Sequence, residues 1–343
     1  MFSPLATLHF ASLTRSWLRY QCAENTLPFL DEQPNSGLSP WTPSVSAVIT
    51  TCGRPEMLRD AVRSILAQDY PGSIEVVVVY DKISVDPLHD IEVVKGRTLR
   101  TVKNSRTTGL AGGRNTGILA ASGEIIGFCD DDDFWLPDKI TRQLELWNEH
   151  RSAIAISSGI RLRTMKTEVD RLAPAVSNFD DFLRSRITAI HPSTMIFLRS
   201  GFTQIYGLVD ELLPAAYGED YDLLLRATQH GPIHAVNEAL VTVRWDRPSF
   251  FSGRWMNIIA GLTYVLQKFP EFEQDPRGLA RIAGQVAFAH AALGNRTDCL
   301  HWVRSTLARD PFQPRAWSAI VVALGLIKAD TLLEMVQRMG RGL

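Results

Sequence analysis

Short β-branched runs alternate with amphipathic segments, and this alternation constrains the chain more than any other feature. The runs 45–50 (VSAVIT) and 74–80 (IEVVVVY) are apolar on both alternating faces, as strands buried within a sheet must be. Between them Met57, Leu58, Ala61, Val62, Ile65 and Leu66 recur at helical spacing behind Pro55, a residue suited to a first helical turn. The pattern continues with strands at 98–102 and 124–129 and helices at 113–121 and 137–150. Further strands are expected at 153–158, 194–198 and 240–245, with a helix over 219–230. Strand–helix alternation of this kind specifies an α/β fold, a mostly parallel sheet flanked by helices.

Strand signals stop near residue 250, and helical patterns follow at 253–268, 276–293, 297–308 and 313–339. The expected organisation is therefore a leader and linker over 1–43, an α/β domain over 44–250 and an all-helical C-terminal extension over 251–343. The segment around Gly294, closed by Asp310-Pro311, resembles one helix pair of a tetratricopeptide-type repeat, with no second copy.

A net charge of −1 over 343 residues argues against bulk binding to nucleic acid. Four scattered cysteines form no C-x-x-C pair and fit a reducing cytoplasm, with Cys52 and Cys129 expected as small buried hydrophobes. No signal peptide or bilayer-spanning run is read, so the expected location is cytoplasmic, with peripheral membrane contact or oligomerisation left to the helical tail.

Ligands of open α/β sheets bind beyond the carboxyl ends of the strands. Thr51 and Arg54 follow the first strand, Asp81 ends the second, and Arg114 and Asn115 lie in a glycine-bearing loop opening a helix. Asp130, Asp131, Asp132 and Asp133 end the strand over 124–129. Packed carboxylates repel unless a cation neutralises them, and hard oxygen ligands suit Mg²⁺ or Mn²⁺ shared with substrate phosphates. Glu219 and Asp220 open the helix after Gly218; acids there are explained either by the helix dipole or by a general base presented to a substrate. His191, before a strand, and Trp245, after the last one, are candidates for contact with a second substrate. The stretch 244–255, with Trp245, Phe250, Phe251, Trp255, Arg244, Arg247 and Arg254, reads more simply as a packed joint between the α/β part and the helices.

Residues 45–81, 109–140 (GLAGGRNTGILAASGEIIGFCDDDDFWLPDKI) and GEDYDLLLRA together resemble family 2 glycosyltransferases of the GT-A fold. The resemblance covers about residues 44–245. It implies an inverting, metal-dependent transfer of a sugar from a nucleotide-diphosphate donor, a UDP-sugar being favoured, to a hydroxyl of a glycan, glycolipid or small molecule, as in cell-surface glycan biosynthesis. It further implies that Thr51, Arg54, Asp81, Arg114, Asp130 and Asp131 line the donor nucleotide. Asp132, with Asp130, would hold Mn²⁺ or Mg²⁺ as a D-x-D motif, and Asp220, beside Glu219, would be the base of an E-D motif. The chain departs from the family after Asp81, where Lys82-Ile83-Ser84 replaces the usual acid with Gly or Asn, and at GLAGGRN, where GLSAARN is commoner. A nucleotidyltransferase, or a scaffold that keeps the fold without the chemistry, are the competing readings.

Overall fold

The computed structural model describes residues 41–165, 167–245 and 253–338, and from Pro40 on the chain is one compact unit. Most of the 1–43 leader, and Arg247, Phe250 and Phe251, lie outside the described residues.

The strands are β1 (Val45–Thr51), β2 (Ile74–Tyr80), β3 (Arg97–Lys103), β4 (Ile125–Asp130), β5 (Phe134–Trp135), β6 (Ala155–Arg163), β7 (Glu168–Arg171), β8 (Val176–Ser177), β9 (Ile196–Leu198) and β10 (Ile233–Arg244). They form one sheet in the order β3-β2-β1-β4-β9-β6-β10-β5, with β7 beside β6 and β8 beside β10. The half β3-β2-β1-β4 is parallel, as is the pair β6-β10. The three-residue β9 joins these halves antiparallel to both β4 and β6.

Helices α1 (Pro55–Leu66) and α2 (Leu110–Ala120) cover opposite faces of the parallel half. Helix α1 buries Leu58, Ala61, Val62, Ile65 and Leu66, the predicted stripe, against inward residues of β1 and β2. Helix α2 starts three residues earlier than expected, so Gly112 is helical rather than a loop residue, and Gly113 lies inside the helix instead of opening it. Their role is close approach: a Cβ on Gly113 would lie 2.3 Å from Thr50 Cγ2, and one on Gly117 would lie 2.2 Å from Val48 Cγ1. The glycines therefore press α2 onto β1.

Next come α3 (Lys139–Glu149), α4 (Phe179–Arg184), α5 (Arg199–Gln204) and α6 (Glu219–Thr228). Strand β10 is longer than the expected 240–245. Its first half carries His234, Asn237 and Glu238, which hide the apolar pattern, and its pairing with β6 is irregular between Val236 and Val241.

Beyond residue 253 the chain forms α7 (Trp255–Lys268), α8 (Pro276–Ala292), α9 (Arg296–Arg309), α10 (Pro314–Ala323) and α11 (Ala329–Arg338). The single helix expected over 313–339 is divided at Gly325, whose φ of +76° ends α10. Leu262, Val265, Phe269, Phe272, Leu279, Ile282 and Val286 share one core cluster with Val77, Phe128 and Leu224, so α7 and α8 are packed into the sheet layer. Helices α9 to α11 add a smaller cluster around Cys299 and Val303. Cys129 is buried as expected, whereas Cys52 is exposed because it follows the last buried residue of β1 in a turn through Gly53 (φ +128°). Among the described residues no helix is long and apolar enough to cross a membrane.

Candidate active site

Parallel register gathers the polar strand ends. Thr50 pairs with Asp130 and Thr51 with Tyr80, so Thr51, Asp81 and the aspartate run emerge side by side. The Asp81 carboxylate is buried and accepts hydrogen bonds from Asn104 Nδ2 (2.8 Å) and the Gly109 amide (3.0 Å), fixing the entry to α2. Lys82 follows with φ +63°, the left-handed conformation for which Gly or Asn is better suited.

The four aspartates face different partners. Thr51 Oγ1 donates to Asp131 (2.6 Å), and the Arg54 guanidinium bridges Asp131 (2.5 Å) and Asp132. Asp130 takes Arg114 Nη2 at 3.1 Å. Asp133 turns inward, where Ser193 Oγ donates to it at 2.5 Å and His191 Nδ1 lies 3.4 Å away. Burial pushes the carboxyls of Asp131, Asp132 and Asp133 above the usual carboxylate range, Asp132 to about 6, and the neighbouring aspartates add to the effect.

Arg114 is buried in α2 with its guanidinium 5.2 Å from the Phe128 ring centroid. Its second arm reaches Glu219, so one side chain ties the end of β4 to the start of α6. Burial works against its charge, but Glu219 and Asp130 overcome this and hold it firmly cationic. Burial raises Glu219 to about 7 despite Arg114, with Asp220 contributing by repulsion. Gly218, at φ +87°, turns the chain so that both acids enter the first turn of α6. Burial alone would raise Asp220 as well, but Arg186 grips both of its oxygens at 2.8 and 2.7 Å and holds it below the usual range.

His191 lies between the two groups of acids. Burial lowers its pKa; Asp130 and Asp220 oppose that shift, while Arg114 and Arg186 add to it. Asp130, Asp133 and His191 each offer a ligand atom, all within 4.8 Å of one another. Two carboxylates and an imidazole form an O/N donor set acceptable to Mn²⁺. The structure thus does not bring Asp132 into that group, as its carboxylate is taken by Arg54. Trp245 is also apart: it stands at the end of β10 with Arg171 Cζ 4.9 Å from its ring centroid.

Two functional candidates had not been expected. Asp133, given no role of its own in the strand-end run, is buried beneath the other acids, and Arg186, in an unpatterned loop after α4, is the partner of Asp220. A cavity of about 260 Å³ lined by Ser44, Glu75 and Arg97 lies at the opposite ends of the strands, where Ser46, Ser122 and Arg100 already satisfy Glu75.

Comparison with known proteins bears on the family and the fold. Residues 46–204 match the model for "Glycosyl transferase family 2". The Escherichia coli enzyme WfaP, named a UDP-Glc:alpha-D-GlcNAc-diphosphoundecaprenol beta-1,3-glucosyltransferase, is 28% identical over 198 residues, 57% of this chain and 74% of its own length. Among solved structures, S. aureus TarS 1-349 in complex with UDP-GlcNAc superposes with a TM-score of 0.58 at 14% identity, covering 87% of this chain and 92% of that one. The mannosyltransferase PcManGT of Pyrobaculum calidifontis, in complex with GDP-Man and Mn2+, gives 0.51 at 17% identity over 84% of this chain and 90% of its own. Residues 46–204, a little under half of the chain, thus match glycosyl transferase family 2, and the chain is a glycosyltransferase with the GT-A fold.

Proposed function

We propose that this enzyme transfers a sugar from a nucleoside-diphosphate donor, a UDP-sugar being favoured, to an acceptor hydroxyl with inversion in a single displacement. The observation that carries the reading is the Arg114 bridge, which joins Asp130 to Glu219 and so sets the strand-end acids against the acids of α6. Asp130 belongs both to the sequence motif and to the Asp130–Asp133–His191 group, and is the anchor for Mn²⁺ or Mg²⁺. The ion would offset the charge of the diphosphate leaving group. Arg54, part-exposed beside these acids, and Arg114, behind Asp130, would offer positive charge to the donor diphosphate.

On the other side, Asp220 takes the proton of the acceptor hydroxyl while the acceptor oxygen bonds to the anomeric carbon and the nucleoside diphosphate departs. The Arg186 pair makes Asp220 a weak base as it stands, so proton transfer requires Arg186 to loosen its hold. The activity for which WfaP is named supports a glycan or lipid-linked acceptor as the class to try first.

A panel of nucleotide sugars with Mn²⁺ or Mg²⁺, scored for nucleoside diphosphate release, tests the reading. One donor should be hydrolysed slowly without acceptor, and EDTA or Asp130→Ala should abolish this. Asp220→Asn should keep donor binding and lose transfer. Failure of every donor to bind at millimolar concentration would end the proposal.

A further inference from the structure

Behind Asp220 the helical extension adds positive charge that no carboxylate among the described residues neutralises. Arg281, on α8, donates from Nη2 to Tyr221 Oη (3.0 Å) and from Nε to the Arg184 carbonyl (3.3 Å). Arg315, on α10, lies across α8 where Gly284 leaves room: a Cβ there would sit 2.9 Å from Arg315 Cβ. Its Nε is buried and has no hydrogen-bond partner. Among the described residues neither arginine is ion-paired with a carboxylate, whereas Arg184 is paired with Asp275 and Arg186 with Asp220. Arg281 stands between the other two cations, acting on Arg315 on one side and facing Arg186 on the other. Burial lowers the pKa of both, Arg315 to about 10, and the neighbouring arginine lowers it further in each case. Helix packing enforces this repulsion. A Cβ on Gly278 of α8 would lie 2.0 Å from the Leu183 carbonyl oxygen of α4, so the backbone of α8 is seated directly against the loop carrying Arg186.

Like charges held together by packing, part-exposed and short of acids, form an anion site. Cancelling Arg186 against Asp220 and Arg184 against Asp275 leaves Arg281 and Arg315, a charge suited to a phosphate or diphosphate rather than to a single carboxylate. We infer that Arg281 and Arg315, with Arg186 at the inner edge, bind a phosphate or diphosphate group of the acceptor, placing its hydroxyl toward Asp220. The helical extension then supplies half of the acceptor site. The same anion would compete with Asp220 for Arg186, releasing the carboxylate when a charged acceptor is present. This deepens the transferase reading and rests on it for the role of Asp220, but the binding itself needs neither donor nor metal.

The test is calorimetric titration of the full chain with inorganic pyrophosphate in EDTA at low salt. Arg281→Gln/Arg315→Gln should weaken binding by about tenfold or more, while Arg281→Lys/Arg315→Lys, which keeps the charge, should stay within about fivefold. Circular dichroism melting of both variants separates loss of binding from loss of fold. Geranyl diphosphate or glycerol 3-phosphate should displace the pyrophosphate. The one effective at lower concentration distinguishes a lipid headgroup from a soluble phosphate ester. Unchanged pyrophosphate binding in the glutamine variant, displacement by neither ester, or tighter binding of glucuronate than of pyrophosphate would overturn the assignment. A chain that binds pyrophosphate here yet hydrolyses no nucleotide sugar would keep the anion site and lose the transferase mechanism.

Discussion

Glu219→Gln should make the protein more stable and less active, and the pH at which the gain develops is fixed by the structure. Glu219 is buried beside Asp220 with Arg114 as its cation, and its pKa lies at about 7 instead of 4.5. A carboxyl whose folded-state pKa is raised costs nothing below its unfolded value, where both states carry the proton. The cost grows as pH rises through the unfolded pKa and is complete above the folded one. A shift of that size corresponds to about 3 kcal/mol once pH exceeds 7. Glutamine imitates the protonated acid, keeps an oxygen for Arg114 and cannot ionise. The variant and the parent should therefore unfold alike in urea near pH 4.5, and the variant should lead by about 3 kcal/mol at pH 8. The difference between the two proteins is the quantity to follow, since Asp131, Asp132 and Asp133 also have raised pKa values and contribute equally to both. A variant that is less stable at pH 8 than at pH 4.5, relative to the parent, would show that Glu219 is an ordinary ionised partner of Arg114. The burial argument would then be wrong.

Other substitutions probe separate parts of the chain. Lys139 is fully buried, with Nζ 3.9 Å from the Trp135 ring centroid and 2.7 Å from Gln143 Oε1, and burial lowers its pKa from 10.5 to about 7. Its cost to folding is complete below pH 7 and gone above 10.5, so Lys139→Met should stabilise the protein at pH 7 by about 4 kcal/mol, with the gain lost by pH 10.5 in urea titrations. Gly113→Ala should destabilise by about 1–2 kcal/mol, because overpacking against Thr50 exceeds the helix-propensity gain of alanine. Adding Thr50→Ser, which removes the methyl in the way, should recover much of that loss; strict additivity would mean the two residues do not meet. Lys82→Asn should raise the thermal midpoint, since asparagine accepts φ +63° better than lysine by up to about 1 kcal/mol; a lowered midpoint would reveal a separate role for the lysine.

The parallel half of the sheet was readable because β1 and β2 are buried on both faces, which leaves unbroken β-branched runs. Such runs also mark where strands end, and parallel strands end on the same side. That is why Thr51, Arg54, Asp81 and Asp130–Asp133 could be grouped before any coordinates. Three features left no such trace. Strand β9 is three residues long, too short for a period, yet it joins the two halves of the sheet. Arg186 has only Ser185 and Ile187 around it, and its meaning comes from Asp220, 34 residues away. The charge on α8 and α10 is likewise invisible in sequence, where Arg281 and Arg315 are single arginines on separate helices that packing alone brings together.

The aspartate run shows how geometry divides what sequence presents as one block. A strand alternates its side chains, and the turn after Asp130 breaks that alternation, so four consecutive acids diverge. Asp131 and Asp132 go to Arg54, Asp130 to Arg114, and Asp133 inward to Ser193 and His191. Two arginines serve three of these four acids and Glu219 as well, which leaves the group short of positive charge. Burial and mutual repulsion then favour the protonated forms, which is the physical content of the raised Asp131, Asp132, Asp133 and Glu219 pKa values. The arginines in excess lie on the far side of Asp220, on helices outside the family 2 segment. Negative surplus at the strand ends and positive surplus on the helical extension give the two sides of Asp220 opposite tasks. The first suits a cation and the diphosphate it accompanies, and the second suits an anion brought by the other substrate.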